Sequence, residues 1–214
     1  MTSPSPLLMN SYYHIFSRGN NRQNIYIETR NYDYFMKLYR KFIDPVAETF
    51  AYCMLRNHFH LLIRTRTAEE QEQIFLTEQI PSKYVTSFQV RDPSRQFGNL
   101  FNAYAKAINK AYGLTGSLFQ HPFGRTVVAA NSHFMRLIIY IHFNPQKHGF
   151  VEDFRDWPFS SYRALISETP THLARDEVRE WFGNLDSFLS DHDQLYNHKE
   201  IADIIFDDND DRKP

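Results

Sequence analysis

Two apolar runs of strand length, TFAYCML (49–55) and HFHLLIRT (58–65), are separated by only Arg56-Asn57. So short a connection makes them an antiparallel hairpin, with Arg56-Asn57 as a tight turn or bulge. The first run is apolar almost throughout, as a buried strand is. The flanking segments then have to be compatible with a sheet built around this hairpin.

SYYHIFSR (11–18) is aromatic and alternating, which predicts a strand, and GNNRQN (19–24) is a loop by its turn residues. From about Asn31 the apolar positions Tyr34, Phe35, Leu38, Tyr39 and Phe42 follow helical spacing, and Pro45 should end the helix. Phe97, Phe101, Tyr104, Ile108 and Tyr112 form one stripe of a helix over 97–112, stopped by Gly113. FGRTVVAA (123–130) predicts a further strand. Asn131 or Ser132 should cap a helix running from His133 to about Asn144, ended by Pro145.

The order strand, helix, strand, strand, helix, strand, helix predicts an α+β protein. Its core is a ferredoxin-like four-stranded antiparallel sheet with two helices on one face. The helix over 133–144 is extra and must lie elsewhere, such as the other sheet face. By this reading 1–10 is a flexible lead-in and 11–151 the main domain. Residues 66–96, acidic and then interrupted by Pro81 and Pro93, could be an insertion or mobile flap. Residues 152–206 add a docking segment (157–166) and a helix over 175–190, and 207–214 is a disordered acidic tail.

Composition narrows the function classes. One cysteine, Cys53, excludes a disulfide scaffold and a multi-cysteine metal site. No run approaches the ~18 apolar residues of a membrane span. The first residues lack the pattern of a signal peptide, so a soluble cytosolic protein is expected. The net charge of -1 hides an asymmetry: residues 1–151 carry 17 Lys and Arg against 9 Asp and Glu, and 152–214 carry 7 against 16. Within the basic part, 93–151 and 49–68 contain no acid at all. A polyanion partner fits this pattern, although chance clustering and solvated faces would also produce it.

The sharpest chemical signal is His58-Phe59-His60. In a strand, residues i and i+2 share a face, so two imidazoles project together while Phe59, Leu61 and Ile63 face the opposite, helix-covered side. That is half of a divalent-metal site, or simply two partly exposed histidines. On the helix over 133–144, Phe134, Leu137, Ile138 and Ile141 form the core stripe, and Arg136, Tyr140 and Asn144 a second one at i, i+4, i+8. Tyr140 can be read as a nucleophile or as a core-margin residue, and Asn144 as a metal ligand or as a cap before Pro145. His142 should face away from Tyr140, and His148 should sit in a turn beyond Pro145, so neither is expected to be a ligand. Cys53 is expected to be a buried apolar residue.

Taken in order, YYHIFSRGNNRQNIY, AYCMLRNHFHLLI, GSLFQHPF, YIHFNPQKHGFV and WPFSSYRAL resemble the REP-associated tyrosine transposases, within the single-tyrosine HUH transposase and nuclease superfamily. The resemblance spans roughly 11–190. It implies that Tyr140 is the catalytic tyrosine and that His58, His60 and Asn144 hold one divalent cation, Mg²⁺ or Mn²⁺. Two imidazoles alone would equally suit Zn²⁺ or Ni²⁺. Two features depart from the family pattern: 66–96 is longer than usual, and His121-Pro122 stands where a Gly-Arg pair is common.

The activity implied is single-strand DNA cleavage and strand transfer on a hairpin of the repetitive extragenic palindrome type, through a 5′-phosphotyrosine. Arg18, Arg22, Arg125, Arg136 and Lys147 are the candidate phosphate contacts, and Tyr12 and Phe16 could stack unpaired bases or simply pack. Two rivals stand beside this: a domesticated hairpin-binding module without catalysis, and a metal-dependent phosphohydrolase that uses water. The sequence leaves open whether the chain is a monomer or a homodimer.

Overall fold

A computed structural model describes residues 5–77, 87–129 and 131–195. The strands are β1 (Tyr12–Arg18), β2 (Ala47–Met54), β3 (His58–Thr65) and β4 (Gly124–Val127). They form one antiparallel sheet in the order β2-β3-β1-β4, the ferredoxin-like arrangement expected from the element order. β3 is central, and Arg64 is its one residue that is not buried.

Alternation along β1 and β3 separates two cores. Tyr13, Ile15, Phe59, Leu61 and Ile63 point to one face, where they meet α1 (Thr29–Phe42) and α3 (Pro93–Tyr112). α3 buries the predicted stripe together with Pro93 and Leu100, except that Tyr112 is only partly buried. α3 starts four residues earlier than its stripe, at Pro93, because Asp92 accepts a hydrogen bond from Ser94 N as its N-cap. Gly113, in the left-handed region at φ 64°, closes it as expected.

The other face carries α4 (Asn131–Lys147), over β2 and β3. Phe134, Leu137, Ile138 and Ile141 are buried there with Phe50, Ala51, Cys53 and Leu62. Pro145 does not end this helix, which runs on to Lys147. Asn144 still accepts from His148 N, and Pro145 O accepts from Phe150 N, so the final turn closes around the proline. The cap expected at Asn131 or Ser132 falls on side chains outside the described set.

Three short helices finish the chain: α5 (Tyr162–Ile166), α6 (Arg175–Trp181) and α7 (Leu185–Leu195). The single helix expected over 175–190 is broken at Gly183, whose φ of 85° stops α6. Trp157, Tyr162, Val178, Phe182 and Phe188 join the α4 core, so 152–195 and α4 share one apolar interior.

Further differences concern the flanks. Residues 5–10, expected to be a free lead-in, are held in place: Leu7 is buried in the first core and its N–H donates to Ser94 Oγ at 2.8 Å. β4 is only four residues long, half the stretch 123–130 expected to be extended. Within 66–96, residues 68–77 form α2 (Ala68–Thr77), anchored by Glu70 to Arg64. Residues 1–4, 78–86 and the tail 207–214 lie outside the described residues.

Candidate active site

His58 and His60 emerge from β3 onto the α4 face, with ring centroids 5.3 Å apart and nearly perpendicular. Both are buried, unlike the partly exposed pair that a strand edge would give. β1 lies beside them: Phe16 is paired with His60, and Arg18 with His58. α4 supplies the opposing wall. Tyr140 meets His60 edge-on at 5.5 Å and His14 at 6.3 Å. One turn further along α4 comes Asn144, and one turn beyond that His148 packs 4.8 Å from His58. Asn144 therefore stands between the two contacts that join the helix to the histidine pair.

The hydrogen bonds orient all three proposed ligands. His58 Nδ1 is 2.7 Å from Asn57 Oδ1, an acceptor, so that nitrogen carries the proton and Nε2 carries the lone pair. His60 Nδ1 is 3.0 Å from His14 Nε2. If His60 donates here, its Nε2 is likewise the lone-pair nitrogen, and this atom is buried with no hydrogen-bond partner among the described residues. Asn144 Nδ2 donates to Tyr140 O at 3.0 Å, which leaves Oδ1, also buried and without a hydrogen-bond partner, as the amide's acceptor. Buried acceptors of this kind are costly unless something satisfies them. A divalent cation would satisfy both, and the mixed imidazole–amide set suits one. Among the described residues no three His, Cys, Asp or Glu side chains are placed to hold a metal, so His148 and His14 do not complete an all-histidine site.

Burial, reinforced by His14, His58, His148 and Lys147, pushes the His60 pKa well below its ordinary value. His60 is therefore neutral at pH 7, the form that binds a cation without first losing a proton.

The cationic candidates divide. Lys147 lies at the site, its Nζ 5.2 Å from the Tyr140 ring centroid. Arg18 shares the histidine face, and Arg22 is exposed in the loop after β1. Arg136 is exposed one turn before Tyr140. Arg125 is not brought to this face. It pairs with Ile15 on the α3 side, lies over the Phe123 ring at 3.8 Å and donates to Ser5 O. Arg64 and Arg66 come from the acid-free stretch 49–68, yet Glu48 and Glu70 neutralise them in space. Tyr12 packs among Phe50, Phe134 and Trp181 and donates to Glu177 at 3.0 Å, which occupies it structurally.

Two residues stand at the site that were not expected there. His148 belongs to the stripe Arg136–Tyr140–Asn144–His148, which a helix ending at Pro145 would cut short. His14 was visible as the i−2 neighbour of Phe16 on the same strand face. His142 does face away from Tyr140, as expected. It is fully buried between His192 and Ser161, at 2.8 Å from each.

No protein-family model matches the chain. A Haemophilus influenzae protein, provisionally named a REP-associated tyrosine transposase, is 26% identical over 146 residues, covering 65% of this chain and 69% of that protein. The resemblance read from the motifs holds. A solved structure of a REP-associated tyrosine transposase bound to a REP hairpin superposes with a TM-score of 0.54 at 19% identity, covering 78% of this chain and 87% of that one. It has the same fold.

Proposed function

We propose that the chain is a metal-dependent single-strand DNA endonuclease and strand transferase acting on hairpin DNA, with Tyr140 as nucleophile. The observation that carries this reading is the meeting of Tyr140 with the His58–His60 pair across the α4–β3 contact. The names of the relative and of the structural neighbour support a REP hairpin as the substrate class.

Tyr140 Oη would attack the scissile phosphorus, forming a P–O bond to the tyrosine as the bond to the 3′ oxygen breaks. The phenol gives up its proton, and the departing 3′ oxygen takes one up to become a hydroxyl. The 5′-phosphotyrosine conserves the phosphoester, so a 3′-hydroxyl can attack it in turn and rejoin the strand. His58 Nε2, His60 Nε2 and Asn144 Oδ1 would hold Mg²⁺ or Mn²⁺. That cation would supply charge neutralisation at the phosphate. Lys147 adds a fixed positive charge beside the phenol. Tyr140 is only 2% exposed, so substrate entry requires its cover to move. No helix among the described residues is long and apolar enough to cross a membrane, which is compatible with action on cytoplasmic DNA.

Tyr140→Phe tests the reading on a denaturing gel with end-labelled hairpin DNA. Wild type should give a covalent protein–DNA band, and Tyr140→Phe should lose both the band and cleavage. The fold should survive, because losing one hydroxyl costs about 0.5–1.5 kcal/mol. Cleavage without an adduct in wild type would instead identify a water-using phosphohydrolase, and uncut DNA a binding module.

A further inference from the structure

Among the described residues, the helical cover of the sheet face that carries the histidines lies mainly over β2 and β3. α4 packs chiefly on β2 and β3 and reaches β1 at Tyr12 and His14. On the other side of the His58–His60 pair, β1 and β4 present Phe16, Gly124 and Thr126. Phe16 is partly exposed and Thr126 is exposed. The Phe16 ring is 6.2 Å from His60 and inclined to it by 28°, and 5.1 Å from His14.

Its orientation is fixed from below. Gly124 is the β4 partner of Phe16, and a Cβ at Gly124 would sit 1.9 Å from Phe16 Cε2. The ring therefore lies flat across the glycine, one face against the backbone. Any side chain at 124 would lift it. Phe16 thus flanks His60 opposite Tyr140, as a rigid aromatic plate beside the catalytic pocket.

We propose that Phe16 is a nucleobase platform, stacking the unpaired base of a nucleotide that flanks the scissile phosphate. This rests on the cleavage reading above. An unstacked base fits better than an apolar peptide for two reasons. The platform is a single ring, bordered by polar Thr126 and the buried imidazoles. Its charged neighbours are cations, with Arg18 on the same strand face and Lys147 across the pocket. Every base has a π-face, so such a plate would hold a flanking nucleotide without reading its identity.

The probe is a stem-loop oligonucleotide with single-stranded arms on both sides, carrying 2-aminopurine at each arm position in turn. It is bound to Tyr140→Phe protein so that it stays uncut. One arm position should be quenched on binding. Phe16→Leu should abolish that quenching and weaken binding of the armed probe about 5- to 150-fold, the range for losing one base–aromatic stack. The armless stem-loop should bind as before. Phe16→Trp should retain the quenching, and Gly124→Ala, which displaces the ring, should reduce it. Unchanged quenching and affinity in Phe16→Leu would overturn the proposal, as would an equal loss with the armless stem. The cleavage reading fails separately: there the wild-type protein forms no covalent adduct.

Discussion

The two faces of the sheet share the same strands but obey different rules. On the α1–α3 face, Tyr13, Ile15, Phe59, Leu61 and Ile63 meet Phe35, Phe97, Phe101 and Tyr104, and the polar atoms are mostly the hydroxyls of tyrosines set among apolar neighbours. Tyr104, for example, donates to Ile25 O at 2.7 Å. On the α4 face, the same two strands present His14, His58 and His60, and His60 Nε2 and Asn144 Oδ1 are buried with no hydrogen-bond partner among the described residues. A strand can therefore serve stability and chemistry at once, because neighbouring side chains answer to different environments. The difference predicts that adjacent substitutions should have unrelated consequences.

Phe59 and His60 give the largest contrast. Phe59→Ala opens a cavity among Phe35, Phe101 and Phe119 and should cost about 3–5 kcal/mol in urea unfolding. His60→Ala removes a desolvated imidazole and should cost far less. It should instead abolish any stabilisation by Mn²⁺ seen in a thermal melt of wild type. A metal-induced shift that persists in His60→Ala would erase the distinction between the faces.

Acid should attack one face only. Burial depresses the pKa values of His60 and His142 strongly, and that of His192 to about 4. The unfolded chain takes up these protons below about pH 6.5, while the folded chain refuses them until much lower pH. Stability should thus be intact above about 6.5 and fall as pH drops towards 4, by about 1.4 kcal/mol per pH unit for each group. On the other face, burial pushes Tyr39 and Tyr104 upward, so neither titrates in this window. Urea midpoints at pH 7 and 5 measure the loss. His192→Phe should make the dependence shallower, and an unchanged slope would mean that the acid-labile groups lie elsewhere.

His14 sharpens the contrast within one strand. It is the hydrogen-bond partner of His60 Nδ1, and where it accepts from that nitrogen it leaves Nε2 of His60 with the lone pair. His14→Leu should weaken Mn²⁺ binding about 10- to 100-fold by titration calorimetry. His14→Gln, which keeps an acceptor, should lose less. Equal affinity in wild type and His14→Leu would remove His14 from the site.

The smallest effect separates the cations. Lys147→Ala should lower the salt dependence of hairpin binding by about one phosphate contact. Arg125→Ala, on the opposite face, should leave it unchanged. A reversed outcome would place the DNA on the wrong side of the sheet.

Much of this was legible in the sequence where one local rule dominated. The phase of β3 was fixed by Phe59, Leu61 and Ile63, and it carried His58 and His60 to one face. Helical spacing put Tyr140 and Asn144 on one stripe, and only the family resemblance gave them roles. Other features depend on which local rule yields to packing. Pro145 breaks an isolated helix, but here the final turn closes past it, and that hid His148. Arg125 lies in a short edge strand whose phase is set by pairing with β1. Arg64 looked like free positive charge because Glu48 and Glu70 lie just outside the acid-free stretch 49–68, and the fold brings both beside it.

The shared interior of α4 and the C-terminal helices has a consequence for synthesis. His142 on α4 is sealed by His192 on α7, and the same interior needs Trp157, Phe182 and Phe188. A nascent chain that has emerged only as far as Lys147 already carries both histidines, Asn144 and Tyr140. It has nothing to cover the outward side of the helix that presents them. The outward side of α4 is covered only after α7 has left the ribosome, so the pocket proposed above is completed long after its own residues have been made.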